Sequence, residues 1–206
     1  MNLQDLTIKE FLSKTYGNDP VPGGGSVSAL CGALAASLGE MVTALTIGRK
    51  KYVDVEEEMK EYAPILENAR IKFLNFIDAD ADAYAKVFKA FKLPKETQEE
   101  KEYRTKCIQD STLEAALVPL EVAKTAVEIM DPIYQIGIKG NRNAVTDACV
   151  AIMCARTAAF GASLNVKINL GSLTDSEKVH ELELICQSLQ ENARMKEALL
   201  LDALEI

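Results

Sequence analysis

Asp78, Asp80 and Asp82 stand at alternate positions in the segment FIDADADAYAKVF. Carboxyl groups set among Ile77, Ala79, Ala81 and Ala83 lose hydration on folding, which raises a carboxyl's pKa toward the range of a general acid. If the segment is helical, Asp78 and Asp82 share one face while Asp80 points elsewhere. The alternative is a solvated helix face with no chemistry. A calcium loop is argued against by Ala83, where such loops need glycine, and by Lys89, where they carry glutamate.

A second constellation is PVPGGGS, residues 20–26. Pro20 and Pro22 restrict the backbone, while Gly23, Gly24 and Gly25 admit close approach of another group. Ser26 is placed to cap the helix that follows, whose first amides and positive dipole end favour an anion or an electron-rich oxygen. No Gly-Lys-Ser/Thr ending makes this a Walker loop, and no strand precedes it as a dinucleotide fingerprint requires. A plain turn into a crowded helix is the competing reading.

The third is KGNRNAVTDACVAIM, residues 139–153. The Gly140-Asn141-Arg142-Asn143 turn offers polar donors, and Asp147 lies in an otherwise apolar helix. A buried acid there is either functional or ion-paired, with Arg142 or Lys139 as partners. Asn165 and Asn169 close the far end of the helix. Arg49, Lys50 and Lys51 end an earlier helix and offset its dipole. His180 falls on the solvated side of the last helix. Five scattered cysteines without a Cys-x-x-Cys pair, and a single histidine, argue against a metal site and for reduced thiols in a cytoplasmic protein.

These residues need a scaffold. With 206 residues, 48% of them hydrophobic, the chain reads as one domain able to bury a core. A net charge of -8 leaves no basic excess for nucleic acid. The N-terminal stretch is charged throughout and lacks the apolar centre of a signal peptide. The run Ala29–Gly48 is long enough to span a membrane, but Glu40 and the wealth of Ala, Gly and Ser make it a buried helix of a soluble protein.

Strand-like alternation is absent and helical periodicity dominates. The pattern predicts helices over Asp5–Leu12, Gly24–Arg49, Val55–Phe91 (kinked or restarted at Pro64), Thr97–Met130, Asn143–Asn165 and Asp175–Ala203, with a short element at DPIYQIG. Thr97 and Glu100 form a capping box. On the third helix, Ile65, Ala69, Phe73, Phe76, Ile77, Tyr84, Val87, Phe88 and Phe91 make the apolar stripe. Ser28, Gly32, Ala35, Ala36 and Gly39 allow close helix approach and mark the second helix as central. The fold class is therefore all-α, a single-domain bundle of long, mostly antiparallel helices. Its apolar flank and the small-residue helix favour a homodimer.

The ordered set PVPGGGSVSALCGALAASLGEMV, TIGRKKY, DADADAY, KLPKET, VPLEVA, KGNRNAVTDA and FGASLNVKINL resembles the tetrahydrofolate cyclodeaminase/cyclohydrolase family from about Leu6 to Gly171. The resemblance implies an all-helical homodimer with a tetrahydrofolate derivative as substrate, no metal and no tightly bound cofactor. It marks Pro22, Gly23, Gly24, Gly25, Ser26, Gly140 and Asn141 for substrate binding, with Arg49 and Lys95 suited to the glutamate tail. Asp80 and Asp147 become the catalytic candidates, and Asp82 falls outside the pattern. Cyclodeamination of 5-formimidoyltetrahydrofolate is the expected reaction, and methenyltetrahydrofolate cyclohydrolysis is the alternative. No transferase domain is expected. A folate carrier, or a helical interaction module binding no folate, is the non-enzymatic alternative.

Overall fold

The computed structural model describes residues 2–204. Among them there is no strand. The chain order is a 3-10 turn Leu3–Asp5, then α1 (Ile8–Thr15), α2 (Gly24–Thr46), a 3-10 segment Lys50–Val55, α3 (Glu56–Phe91), α4 (Gln98–Glu128), α5 (Met130–Lys139), a 3-10 turn Arg142–Ala144, α6 (Val145–Leu170) and α7 (Ser176–Leu204). The all-α architecture expected from the periodicity is the one found.

Helix α2 is the centre, packed against α3 on one side and α6 on the other. Its small residues decide how close those neighbours come. A Cβ at Gly32 would collide with the edge of the Phe73 ring, one at Gly39 would lie 2.9 Å from Leu66 Cδ1, and one at Gly161 of α6 would collide with Ser28 Oγ. Asp80, Phe73 and Leu66 thus descend α3 as Gly25, Gly32 and Gly39 ascend α2, so the two helices are antiparallel. Gly24 against Asn165 and Ser28 against Gly161 give the same sense for α2 and α6. Phe73, Leu66 and Met59 are fully buried, and each contributes about 1.5–3 kcal/mol of apolar transfer. A smaller cluster of Leu120, Val166, Leu170, Leu182 and Cys186 fastens α4 and α7 to α6.

The one charge within α2, Glu40, is answered by Arg70 of α3, whose Nε donates to Oε1 at 2.6 Å and Nη2 to Oε2 at 3.3 Å. By length and composition α2 and the segment 142–170 could each cross a membrane, with mean hydropathy 1.5 and 1.4, yet half of each such window is buried inside the bundle.

Local chemistry sets the helix ends. The Thr97–Glu100 capping box starts α4 as expected. A second one, Thr7 with Glu10, starts α1 three residues later than periodicity alone places it, after the 3-10 turn. Helix α2 stops at Thr46 because Gly48 takes φ 74°. Helix α3 runs unbroken through Pro64, and α6 continues five residues past Asn165. The α3 stripe also departs from expectation. Leu66, Ala69, Phe73 and Ile77 are buried, but Ile65, Tyr84, Phe88 and Phe91 are exposed. For Tyr84, Phe88 and Phe91 the cause is length: α3 outruns the N-terminus of α2, so its last three turns lack that partner.

Asp78 has a structural task. Its Oδ1 accepts from Leu3 N–H at 2.6 Å and its Oδ2 from Gln4 N–H at 3.3 Å, tying the N-terminal turn to α3. Asp78→Ala is expected to cost about 1 kcal/mol and roughly 2–4 °C in thermal midpoint, with faster proteolysis before α1. An unchanged midpoint and unchanged cleavage would dismiss the tether.

Candidate active site

Gly23 is the N-cap of α2 and has no side chain to satisfy the helix's first amides. Asp80 supplies the missing acceptor from α3. Its Oδ2 accepts from Ser26 N–H at 2.9 Å and lies 3.0 Å from Ser26 Oγ. Ser26 therefore does not cap the helix, as its position in the sequence led one to expect. It sits three residues inside, and its hydroxyl is turned to Ile77 O at 3.0 Å and to Asp80. The physical reason is that the helix begins at Gly24, within its expected bounds, so residue 26 already lies inside the first turn.

The glycines make this arrangement possible. A Cβ on Gly25 would stand 2.5 Å from Asp80 Cγ and still closer to Oδ1, so only glycine lets the carboxyl rest on the backbone of α2. With Oδ2 anchored, Oδ1 has no hydrogen-bond donor among the described residues, and Asp80 lines a cavity of about 300 Å³. Burial pushes the Asp80 carboxyl above its usual range, against the two Ser26 hydrogen bonds that pull it down. A carboxyl fixed by one oxygen, free at the other and easier to protonate than in water can carry a proton at Oδ1.

Asn165 and Asn169 share the cavity wall with Tyr84, Val87 and Ile168. The Asn165 carboxamide donates to Gly161 O at 2.8 Å and lies over Gly24, with its nitrogen 3.0 Å from where a Cβ would be. Asn169 donates to Asn165 O at 2.9 Å. These asparagines do not close the end of α6 but project from inside it. Their four-residue spacing on an apolar helix is the signal that they share a face. Tyr84, one turn beyond Asp80, looks in the sequence like one more member of an apolar stripe.

The other candidates lie elsewhere. Pro22 is buried in the turn before Gly23, joined to Val21 by a cis peptide bond. Gly140 and Asn141 pack at the opposite end of α2, which by helical rise is about 33 Å away. There Asn141 N–H donates to Thr46 Oγ at 2.9 Å and its Nδ2 to Leu45 O at 2.8 Å, satisfying an orphan carbonyl of α2. Tyr52 OH accepts from Arg142 N–H at 3.0 Å and holds the same turn. Asp147 is half-buried near this end, with neither proposed ion pair formed among the described residues, since Lys139 bonds Glu58 at 2.6 Å instead. Arg49 is exposed beyond Gly48, and Lys95 is exposed on the turn after α3. One chain therefore brings Asp80, Ser26 and the glycines together and leaves Asp147, Arg49, Gly140 and Asn141 at the far end. Asp82 and His180 are solvated, and all five cysteines are free.

Known proteins carry the same scaffold. A family described as "Formiminotransferase-cyclodeaminase" matches residues 7–188. Rat formimidoyltransferase-cyclodeaminase is 34% identical over 99% of the chain, which spans only 38% of that protein's length. Methenyltetrahydrofolate cyclohydrolase of Methylorubrum extorquens is 39% identical, over 86% of this chain and 87% of its own. The crystal structure of a formiminotetrahydrofolate cyclodeaminase from Thermotoga maritima superposes with a TM-score of 0.84 at 28% identity, with both chains fully covered. With the family match extending from α1 into α7, the chain belongs to the formiminotransferase-cyclodeaminase family.

Proposed function

We propose that the protein is a soluble folate enzyme that cyclises 5-formimidoyltetrahydrofolate to 5,10-methenyltetrahydrofolate and releases ammonia. The observation that carries this reading is Asp80, held at Oδ2 by Ser26, without a hydrogen-bond donor at Oδ1 among the described residues, and set in the wall of the glycine-lined cavity. The relatives named for folate chemistry supply the substrate class.

In this scheme N10 attacks the protonated formimino carbon on N5 and closes the ring. The Asp80 carboxylate takes the N10 proton at Oδ1 and passes it to the amino group on the same carbon. Ammonia then leaves and the methenyl cation remains, so one carboxyl acts as base and then as acid. The α2 amides and the Asn165 and Asn169 carboxamides orient the ring system by polar contacts on one wall. The cavity lies at the small end for a ligand site. It suits the fused ring, while the charged glutamyl tail extends outside toward cations such as Arg49 and Lys95. No tightly bound cofactor enters the scheme.

The second reading is methenyltetrahydrofolate cyclohydrolysis, favoured by the 39% identity to a relative of which this chain covers 87%. There Asp80 would take a proton from water attacking the methenyl carbon. The two substrates separate the readings. Purified protein given 5-formimidoyltetrahydrofolate is expected to raise methenyl absorbance with one ammonia per turnover, whereas a cyclohydrolase lowers the absorbance of added methenyltetrahydrofolate faster than buffer does. Tight folate binding without either reaction would identify a carrier instead.

A further inference from the structure

The wall of the Asp80 cavity has a definite polar order. Asp80 meets the start of α2 at Gly25, where a Cβ would strike its carboxyl, and Gly24, one residue before, faces the Asn165 carboxamide. Asn169 follows one turn further along α6 and donates to Asn165 O at 2.9 Å. All five residues line the cavity.

The partners of each group decide what it has left to offer a ligand. Carbonyl oxygens only accept, so the Nδ2 ends of both carboxamides are fixed toward the main chain. Asn165 Nδ2 donates to Gly161 O at 2.8 Å. Asn169 Nδ2 donates to Asn165 O and, at 3.2 Å, to Ala115 O, two acceptors for its two hydrogens. Neither Oδ1 receives a hydrogen bond among the described residues. The Gly24 and Gly25 N–H groups also have no acceptor among them, because the N-cap is glycine and the Asp80 carboxyl accepts from Ser26. The wall therefore runs acid, two N–H donors, acceptor, acceptor. Val21, Val87 and Ile168 complete the lining with apolar surface suited to the faces of a flat ring.

One edge of a tetrahydropterin carries the complementary order. From N5, which bears the one-carbon unit, the perimeter passes to the O4 acceptor, the N3–H donor and the 2-amino donor. We propose that Asn165 and Asn169 read the pyrimidine edge of the folate, Asn165 Oδ1 accepting from N3–H and Asn169 Oδ1 from the 2-amino group. Gly24 and Gly25 N–H then hold O4, and N5 comes to Asp80. The inference rests on the folate reading above and gives the bound ring one orientation. Turned over, the ring presents N8–H, ring N1 and the 2-amino group instead. That order leaves Asn169 without a partner and carries N5 and N10 away from Asp80, so it is unproductive.

Pairing ligand and protein changes tests the assignment. The probe is 5-formyltetrahydrofolate, in which oxygen replaces the leaving nitrogen, and its counterpart is the 2-desamino-2-methyl compound, which lacks the 2-amino donor. Calorimetry on wild type is expected to show the counterpart binding about ten- to hundredfold more weakly, because Asn169 Oδ1 is left unpaired. In Asn169→Ala the two probes are expected to bind within about twofold of each other, since the partner of the 2-amino group is gone. A general loss of structure would weaken both probes and leave their ratio unchanged. A penalty that survives in Asn169→Ala overturns the proposal, and its disappearance in Asn165→Ala instead identifies the turned-over ring. Wild type that turns over either folate but binds the two probes alike also overturns it, an outcome that needs no variant to fold and leaves the reaction standing. Wild type that neither turns over a folate nor binds the parent probe overturns the folate reading itself.

Discussion

Asp80→Asn is expected to lower turnover by about a hundred- to ten-thousand-fold, the range for loss of a general acid-base group, with substrate affinity little changed. The amide keeps the shape and can still accept from Ser26 through one oxygen, but it cannot carry a proton. Stability should move the other way. Burial raises the Asp80 pKa in the folded protein, so the folded state binds the proton more readily than the unfolded state. Stability from this group is then fully present below the unfolded carboxylate pKa, about 4, and is lost as pH rises through the folded value. Near neutrality the ionised carboxyl is a burden that asparagine removes. The thermal midpoint of Asp80→Asn should equal or exceed that of wild type at neutral pH, and the gain should fade in acid. Near-normal kcat with an intact circular dichroism spectrum would take Asp80 out of the mechanism. A larger loss in Asp147→Asn would move the principal role to that residue.

Gly25→Ala should be nearly as damaging, for a different reason. The new Cβ would stand 2.5 Å from Asp80 Cγ and 2.7 Å from Oδ2. Asp80 is short and is held by Ser26, so it has no room to swing away without surrendering both hydrogen bonds. Overpacking of this kind costs about 1–3 kcal/mol, and the displaced carboxyl takes turnover with it. Gly24→Ala is the control. Its Cβ meets only the Asn165 carboxamide, at 3.0 Å, a contact that a shift of a few tenths of an ångström relieves, and alanine regains about 1 kcal/mol of helix propensity. Kinetics and melts of the two variants side by side should show a steep loss for Gly25→Ala and a mild change for Gly24→Ala. Equal behaviour would refute the contact with Asp80.

Much of this was legible in the sequence. The small residues of α2 at spacings of three and four identify the central helix because backbone approach demands them, and Phe73 and Leu66 pack where they fall. Helical spacing set Asp80 apart from Asp78 and Asp82, and the family resemblance chose it among the three. It follows Ile77 by three and Phe73 by seven, on the buried stripe, while Asp78 and Asp82 rotate away to the N-terminal turn and to solvent. What spacing does not reveal is which helix ends overhang their partners. The exposure of Tyr84, Phe88 and Phe91 depends on where α2 begins relative to α3, a tertiary fact. The capping role passed from Ser26 to Asp80 because a glycine N-cap leaves the first amides to an acceptor on a distant helix, which no local motif encodes. The separation of Gly24 from Arg49, by contrast, was implicit in the length of a single unbroken helix.

The hydrogen bond from Ser26 N–H to Asp80 Oδ2 joins the reacting group to the first turn of the helix at the centre of the bundle. The backbone amide of residue 26 is therefore a built-in indicator. Its nuclear resonance shifts as the carboxyl gains or loses a proton, and its exchange with solvent deuterium quickens when the acceptor is weakened. Ionisation of the proposed catalyst can be followed at one peptide group, without substrate, label or turnover, and compared directly with the pH dependence of the reaction.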